Sequence, residues 1–230
     1  MLRQIILISD GQSNKGPNPG EVSELALKED IRVNTIGIID NNKNQMAIME
    51  LEDIAERGGG VCELTHLNHL SETLSRVTIN SIYTTIEEMV SHELKEIIDM
   101  DIKDIHPVER EKFVKLIDMI GNEADLKCLI LLDASGSMKN KIDIAKKSVL
   151  ELLLFLEERK GKNEVGVLIF PGKEEYYDLL CDFTEDIDEL KNSLDNINIG
   201  GITPTGYAIE GAIDIFVNAR YDDIPYNHIV

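Results

Sequence analysis

Apolar residues fall along the chain in short dense runs, separated by longer stretches with helical spacing. Leu2–Ser9 (LRQIILIS), Ile31–Ile39 (IRVNTIGII), Cys128–Leu132 and Glu164–Phe170 (EVGVLIF) are near-continuous apolar runs, the pattern of strands buried on both faces as in a parallel sheet. Between them, Glu21 to Glu29 and Met46 to Arg57 read as helices. The second carries a stripe of Met46, Met49, Leu51, Ile54 and Ala55 and stops at Gly58-Gly59-Gly60. Val61–Thr65 is a short strand and Leu67–Leu74 opens another helix. From Ile79 to Ile98 the apolar positions keep helical spacing. Asp99–His106 breaks it, and Pro107 sits at a first helical position before Val108–Ile120, which stops at Gly121.

The second part of the chain repeats the alternation. Ile142, Ala145, Val149, Leu152, Leu153 and Leu156 form one helix face closed at Gly161. Tyr176–Phe183 is a shorter, more polar strand suited to a sheet edge. Helices follow at Glu185–Ile197 and Tyr207–Arg220, and Asn227–Val230 has the look of a strand beginning. Strands alternating with helices predict an α/β fold with a mostly parallel sheet covered on both faces, interrupted at 75–126 by a helical pair.

Composition narrows the function. The 230 residues include 43 acidic against 23 basic side chains, a formal charge of −20 that repels phosphate backbones and anionic lipid. Neither nucleic acid nor a membrane surface is an expected partner. No apolar run reaches the roughly eighteen residues of a membrane span, and Met1 is followed by a strand pattern rather than a signal peptide. Cys62, Cys128 and Cys181 are too few and too scattered for a disulfide framework. A soluble cytoplasmic protein is the expectation.

The chemistry gathers at Lys127–Met138 (KCLILLDASGSM), where a buried strand ends on Asp133-Ala134-Ser135-Gly136-Ser137 ahead of a helix. A carboxylate and two hydroxyls then sit at the C-terminal end of a strand, where α/β sheets bind ligands. Converging acid and alcohol oxygens suit a hard divalent cation better than proton transfer. Asp-x-Ser-x-Ser after such a strand resembles the metal-ion-dependent adhesion site of von Willebrand factor A (vWA) domains. That site also draws on a threonine in a Gly-Gly-x-Thr loop and an aspartate in Ser-Asp-Gly, which match Thr203 in GGITPTG and Asp10 in ISDG. With IFPGK, the pattern is similar to a small family of intracellular vWA proteins from spore-forming bacteria.

What the resemblance implies is a doubly wound, Rossmann-like six-stranded sheet with strand order 3-2-1-4-5-6 and Tyr176–Phe183 as the antiparallel edge. The metal ligands would be Asp133, Ser135, Ser137, Thr203 and Asp10. The order of the motifs departs from the family, because Ser-Asp-Gly comes first. Residues 1–74 correspond to the C-terminal half of a vWA domain and 127–230 to the N-terminal half, with 75–126 joining them. That order is the mark of a circular permutation, feasible where termini lie close together, and His228-Ile229-Val230 repeats the opening of the strand that Gln4-Ile5-Ile6 supplies. A rival reading is half of each of two domains, closing on one another in a monomer or swapping in a dimer.

Mg²⁺, or Mn²⁺, requires near-octahedral oxygen coordination and sheds water reluctantly. Hydroxyl ligands with aspartates acting partly through water leave an exchangeable position for a carboxylate, which in the resembling family is an Asp or Glu of a protein partner. The expectation is therefore a non-enzymatic, metal-dependent protein-binding module. Two others stand beside it: an accessory or regulatory subunit of an ATPase or metal-dependent enzyme complex, and a scaffold whose metal is structural. Cys62, His66 and His69 have zinc-like spacing without a fourth ligand. No phosphate-binding P-loop or serine-hydrolase elbow motif occurs, and Glu87-Glu88 and Asp222-Asp223 read as solvated surface.

Overall fold

The computed structural model describes residues 1–39, 44–98, 106–195 and 197–222. Six strands make one sheet: β1 Leu2–Ser9, β2 Arg32–Ile38, β3 Gly59–Thr65, β4 Leu126–Asp133, β5 Asn163–Phe170 and β6 Asp178–Thr184. Their order across the sheet is β3-β2-β1-β4-β5-β6. All neighbours run parallel except β5 and β6, which are antiparallel. The expected order and edge strand are both present, though the edge starts at Asp178. Tyr176, expected within it, lies outside the strand and stacks on Tyr207 at 4.1 Å between ring centroids.

The two halves of the chain meet at the centre of the sheet. β1 pairs with β4 in the register Gln4↔Cys128, Ile6↔Ile130 and Ile8↔Leu132. Alternation along these strands sends Ile6, Ile8, Ile130, Leu132, Val167 and Ile169 to one face, and Ile5, Leu7, Leu129, Leu131 and Phe170 to the other. On the first face lie α3 (Leu70–Ile98) and α5 (Ile142–Leu156). On the second lie α1 (Pro19–Lys28), α2 (Gln45–Arg57) and α7 (Thr205–Asp222). No helix among the described residues is long and apolar enough to cross a membrane.

Local signals explain most boundaries, including those the sequence pattern misplaces. α1 starts two residues earlier than its stripe because Asn18 caps it, accepting from the Gly20 and Glu21 N–H groups, with Pro19 in the first helical position. Asp186 caps the short α6 (Ile187–Ser193) in the same way. Gly58 ends α2, but Gly59 and Gly60 already belong to β3. There a Cβ on Gly60 would come within 2.2 Å of the Val33 carbonyl oxygen.

The connector differs most from expectation. A boundary at residue 75 falls inside α3, a single 29-residue helix. Leu70, Leu74, Val77, Ile82 and Ile86 pack it into the core, so its first part is a sheet-covering helix and not a linker. α4 runs on past Gly121, from Pro107 to Glu123. Gly121 does not stop it but makes room for Tyr83, whose ring carbon lies 2.7 Å from where a Cβ would stand. The expected terminal strand at 227–230 and the break at 99–105 lie outside the described residues.

Arg159 ties the connector to the domain. Its guanidinium donates to the carbonyls of Gly121 (2.7 Å) and Ala124 (2.8 Å) at the end of α4, and to Asn163 Oδ1 at the start of β5. A cation at a helix C-terminus is favourable, although burial draws this guanidinium's pKa down. Arg159→Ala is expected to leave the part-buried Gly121 and Ala124 carbonyls without these donors and to lower stability by about 1–3 kcal/mol. Urea denaturation checks this, and an unchanged midpoint would refute it.

Candidate metal centre

The register of the central strands builds the site. Because Ile8 sits opposite Leu132, the next residues along, Ser9 and Asp133, end β1 and β4 side by side. The Ser9 hydroxyl donates to Asp133 Oδ2 at 2.5 Å, and the Ser135 N–H donates to Oδ1 at 2.8 Å. Asp133 is fully buried. Burial pushes its carboxyl above the ordinary aspartate value of 3.8, outweighing the hydrogen bonds from Ser9 and Ser135, and the nearby charge of Asp10 adds to the rise.

After Asp133 the chain turns through Ser135, in extended conformation, into a 3-10 turn over Gly136–Asn140 before α5. This turn places the Ser135 and Ser137 hydroxyl oxygens 3.1 Å apart, and Ser137 donates to Asp10 Oδ1 at 2.6 Å. The other oxygen of Asp10 accepts from Lys141 Nζ at 2.5 Å. A continuous chain of contacts thus runs from Asp133 through Ser135 and Ser137 to Asp10, joining residues of both halves.

Thr203 is brought to the same end by its backbone. The Gly200 N–H donates to the Ala134 carbonyl at 2.9 Å, holding the Gly-Gly loop against the Asp-x-Ser turn. The loop after Asp10 clasps Thr203 from the other side. Asn14 Oδ1 accepts from the Thr203 N–H at 2.9 Å, while Asn14 N–H and the Ser13 hydroxyl donate to its carbonyl at 3.1 and 3.2 Å. Glu50, on α2, accepts from the Ser13 N–H at 2.7 Å and anchors this loop. Burial raises the Glu50 carboxyl, and the Ser13 bond pulls against that rise. All five expected ligand residues therefore stand at the carboxyl end of β1 and β4.

The donor set fits a hard cation. Two carboxylates and three hydroxyls are oxygen ligands, and the buried Asp133 carboxylate has hydroxyl and N–H partners but no cationic one among the contacts described. Ser137 gives its proton to Asp10, so Ser135 donates in the Ser135–Ser137 contact, which leaves one lone pair of Ser137 and both of Ser135 to face an ion. Both oxygens of Asp10 are engaged, one by Ser137 and the other by Lys141.

Ser9, Ser13, Asn14, Glu50 and Lys141 escape the sequence reading. Ser9 is visible in retrospect as the serine of Ser-Asp-Gly; the others carry no spacing that points to Thr203 or Asp10. Elsewhere, no group of three or more His, Cys, Asp or Glu side chains among the described residues is placed to hold a metal. Cys62, His66 and His69 form no such group: Cys62 is half-buried as a free thiol, and His66 Nδ1 lies 3.1 Å from the Ile39 carbonyl oxygen.

A doubly wound sheet with this oxygen cluster above its central strands defines a von Willebrand factor type A domain, and the family model of that description matches residues 128–226. The chain belongs to this family. It is 36% identical over 222 residues to the uncharacterized protein YabS of Bacillus subtilis (strain 168), covering 95% of this chain and 91% of that one. It is also similar to an uncharacterized protein of known crystal structure from Alicyclobacillus acidocaldarius, at 33% identity and a TM-score of 0.88, covering 96% of this chain and 97% of that one. Each likeness spans both halves and the connector.

Proposed function

We propose that this protein is a divalent-metal-dependent protein-binding module, not an enzyme, working in the cytoplasm. The observation that carries the reading is the chain of contacts from Asp133 through Ser135 and Ser137 to Asp10, with the Thr203 loop clasped against it. Asp133, Ser135, Ser137, Thr203 and Asp10 would hold Mg²⁺ or Mn²⁺; when bound, such an ion supplies a Lewis-acidic position for an Asp or Glu carboxylate of a partner protein.

The residues do the remaining work. Asp133 is the one ligand aspartate without a cationic side chain against it, so the site keeps little negative charge to repel an incoming carboxylate. Ser137 is exposed and Ser135 and Thr203 are nearly buried, which leaves the approach on the Ser137 side. The order of the halves is that of a circularly permuted vWA domain, with β1 paired to β4 at the centre of the sheet.

Affinity capture in Mg²⁺ and in EDTA, with wild type and Thr203→Ala, tests this function. Metal and partner should each raise the other's affinity by the same factor, so EDTA should release the partner. Ca²⁺, larger and looser in geometry, should substitute poorly. Thr203→Ala should lose partner binding with a melting curve close to wild type. A partner held equally by both proteins, and equally in EDTA, would sink the adhesion-type mechanism.

A further inference from the structure

We infer that Lys141 is a built-in counter-charge that sets the metal site's balance between holding a cation and accepting an anion. This rests on the proposed metal-binding reading and deepens it. Lys141 occupies the N-cap of α5, with no side-chain capping bond. That is an unfavourable place for it twice over. Capping favours Ser, Thr, Asp or Asn, and a cation at a helix N-terminus opposes the helix dipole. What compensates lies 131 residues away: the ammonium is 2.5 Å from Asp10 Oδ2. The side chains of the pair are only 12% and 3% exposed, so solvent screens them little.

The consequence is a matter of charge. With Lys141 neutralising Asp10, Asp133 is the only uncompensated acid among the five ligand residues. A bound divalent ion then leaves the loaded site with one net positive charge, ready for a carboxylate. Without Lys141 the loaded site would be neutral, holding the ion more tightly and an incoming anion less. Lys141 therefore weakens metal binding and strengthens anion capture, and it also holds Asp10 in place for Ser137 when no ion is present.

The test uses the full chain, with Mn²⁺ as the metal and acetate as the carboxylate probe. Mn²⁺ affinity comes from calorimetry, and acetate binding from the loss of Mn²⁺-bound water seen in proton relaxation. Lys141→Met is expected to bind Mn²⁺ at least about ten-fold more tightly than wild type and to take acetate more weakly. Lys141→Arg, which keeps the charge, should behave as wild type. Lys141→Gln, which can still donate to Asp10, supplies a second neutral variant should Met fail to fold, and melting curves establish that each protein is folded. Equal Mn²⁺ and acetate binding in wild type and the neutral variants would overturn the inference while leaving the metal site standing. No Mn²⁺ binding by wild type or by any variant would overturn the metal reading, and this inference with it.

Discussion

A chain beginning at Gln12 is expected to be unfolded or aggregated, although it keeps more than nine-tenths of the residues. β1 is not a terminal decoration: it lies between β2 and β4, at the centre of the sheet. Removing it takes hydrogen-bonded neighbours from two strands at once. It also removes Ile5, Ile6, Leu7 and Ile8, all fully buried and divided between the two core faces. At about 1.5–3 kcal/mol per side chain, their loss alone is on the order of the whole net stability of a domain, roughly 5–15 kcal/mol. Circular dichroism and light scattering decide it. A shortened protein that is helical, cooperative in melting and monodisperse would show that the sheet does not depend on this strand.

Asp133→Asn is expected to abolish metal binding while making the metal-free protein more stable. The folded environment raises this carboxyl through desolvation, so the native state holds its proton more tightly than the unfolded chain does. By linkage, stability contributed at low pH is lost as the pH climbs from 3.8 through the raised folded value. At neutral pH the metal-free protein bears that loss. Asparagine can keep both contacts, accepting from the Ser135 N–H and donating to Ser9, without the charge. The gain should be about 1–2 kcal/mol, a rise of about 2–4 °C per kcal/mol for a chain of this size. Wild type should melt at a pH-dependent temperature above pH 4, and Asp133→Asn should flatten that dependence.

Added Mn²⁺ should raise the melting temperature of wild type only slightly. Free metal between one and ten times the dissociation constant stabilises by about 0.4–1.4 kcal/mol. No rise should occur in Asp133→Asn. A variant less stable than wild type in EDTA, or one that binds Mn²⁺ equally by calorimetry, would show that Asp133 is not the strained centre of a cation site.

Such substitutions separate what is written locally from what is not. The strands were legible because burial on both faces leaves a run of apolar residues that no loop or exposed helix needs: LRQIILIS marks β1 residue for residue. The candidate site residues were legible because Asp-x-Ser-x-Ser and Ser-Asp-Gly are short and lie at strand ends. Helix boundaries were less so. Pro19 reads as a loop residue until Asn18 is seen to cap the helix it opens, and Gly121 reads as a stop until Tyr83 is found against it. The continuity of α3 was hidden because Ser75, Arg76 and Thr78 thin the apolar run where the helix passes from the sheet to the connector.

By itself, then, the chain's pattern determined the α/β class, the strands and the residues of the candidate site, since each depends on side chains within one short window. Only the tertiary structure decided which residues support that site. Ser9 reaches Asp133 across 124 residues, Lys141 reaches Asp10 across 131 and Asn14 holds Thr203 across 189. Contacts at such separations follow from strand register and loop closure, which leave no period in the sequence. A lysine at a helix start or an asparagine in a loop has its meaning set by what the fold carries to it.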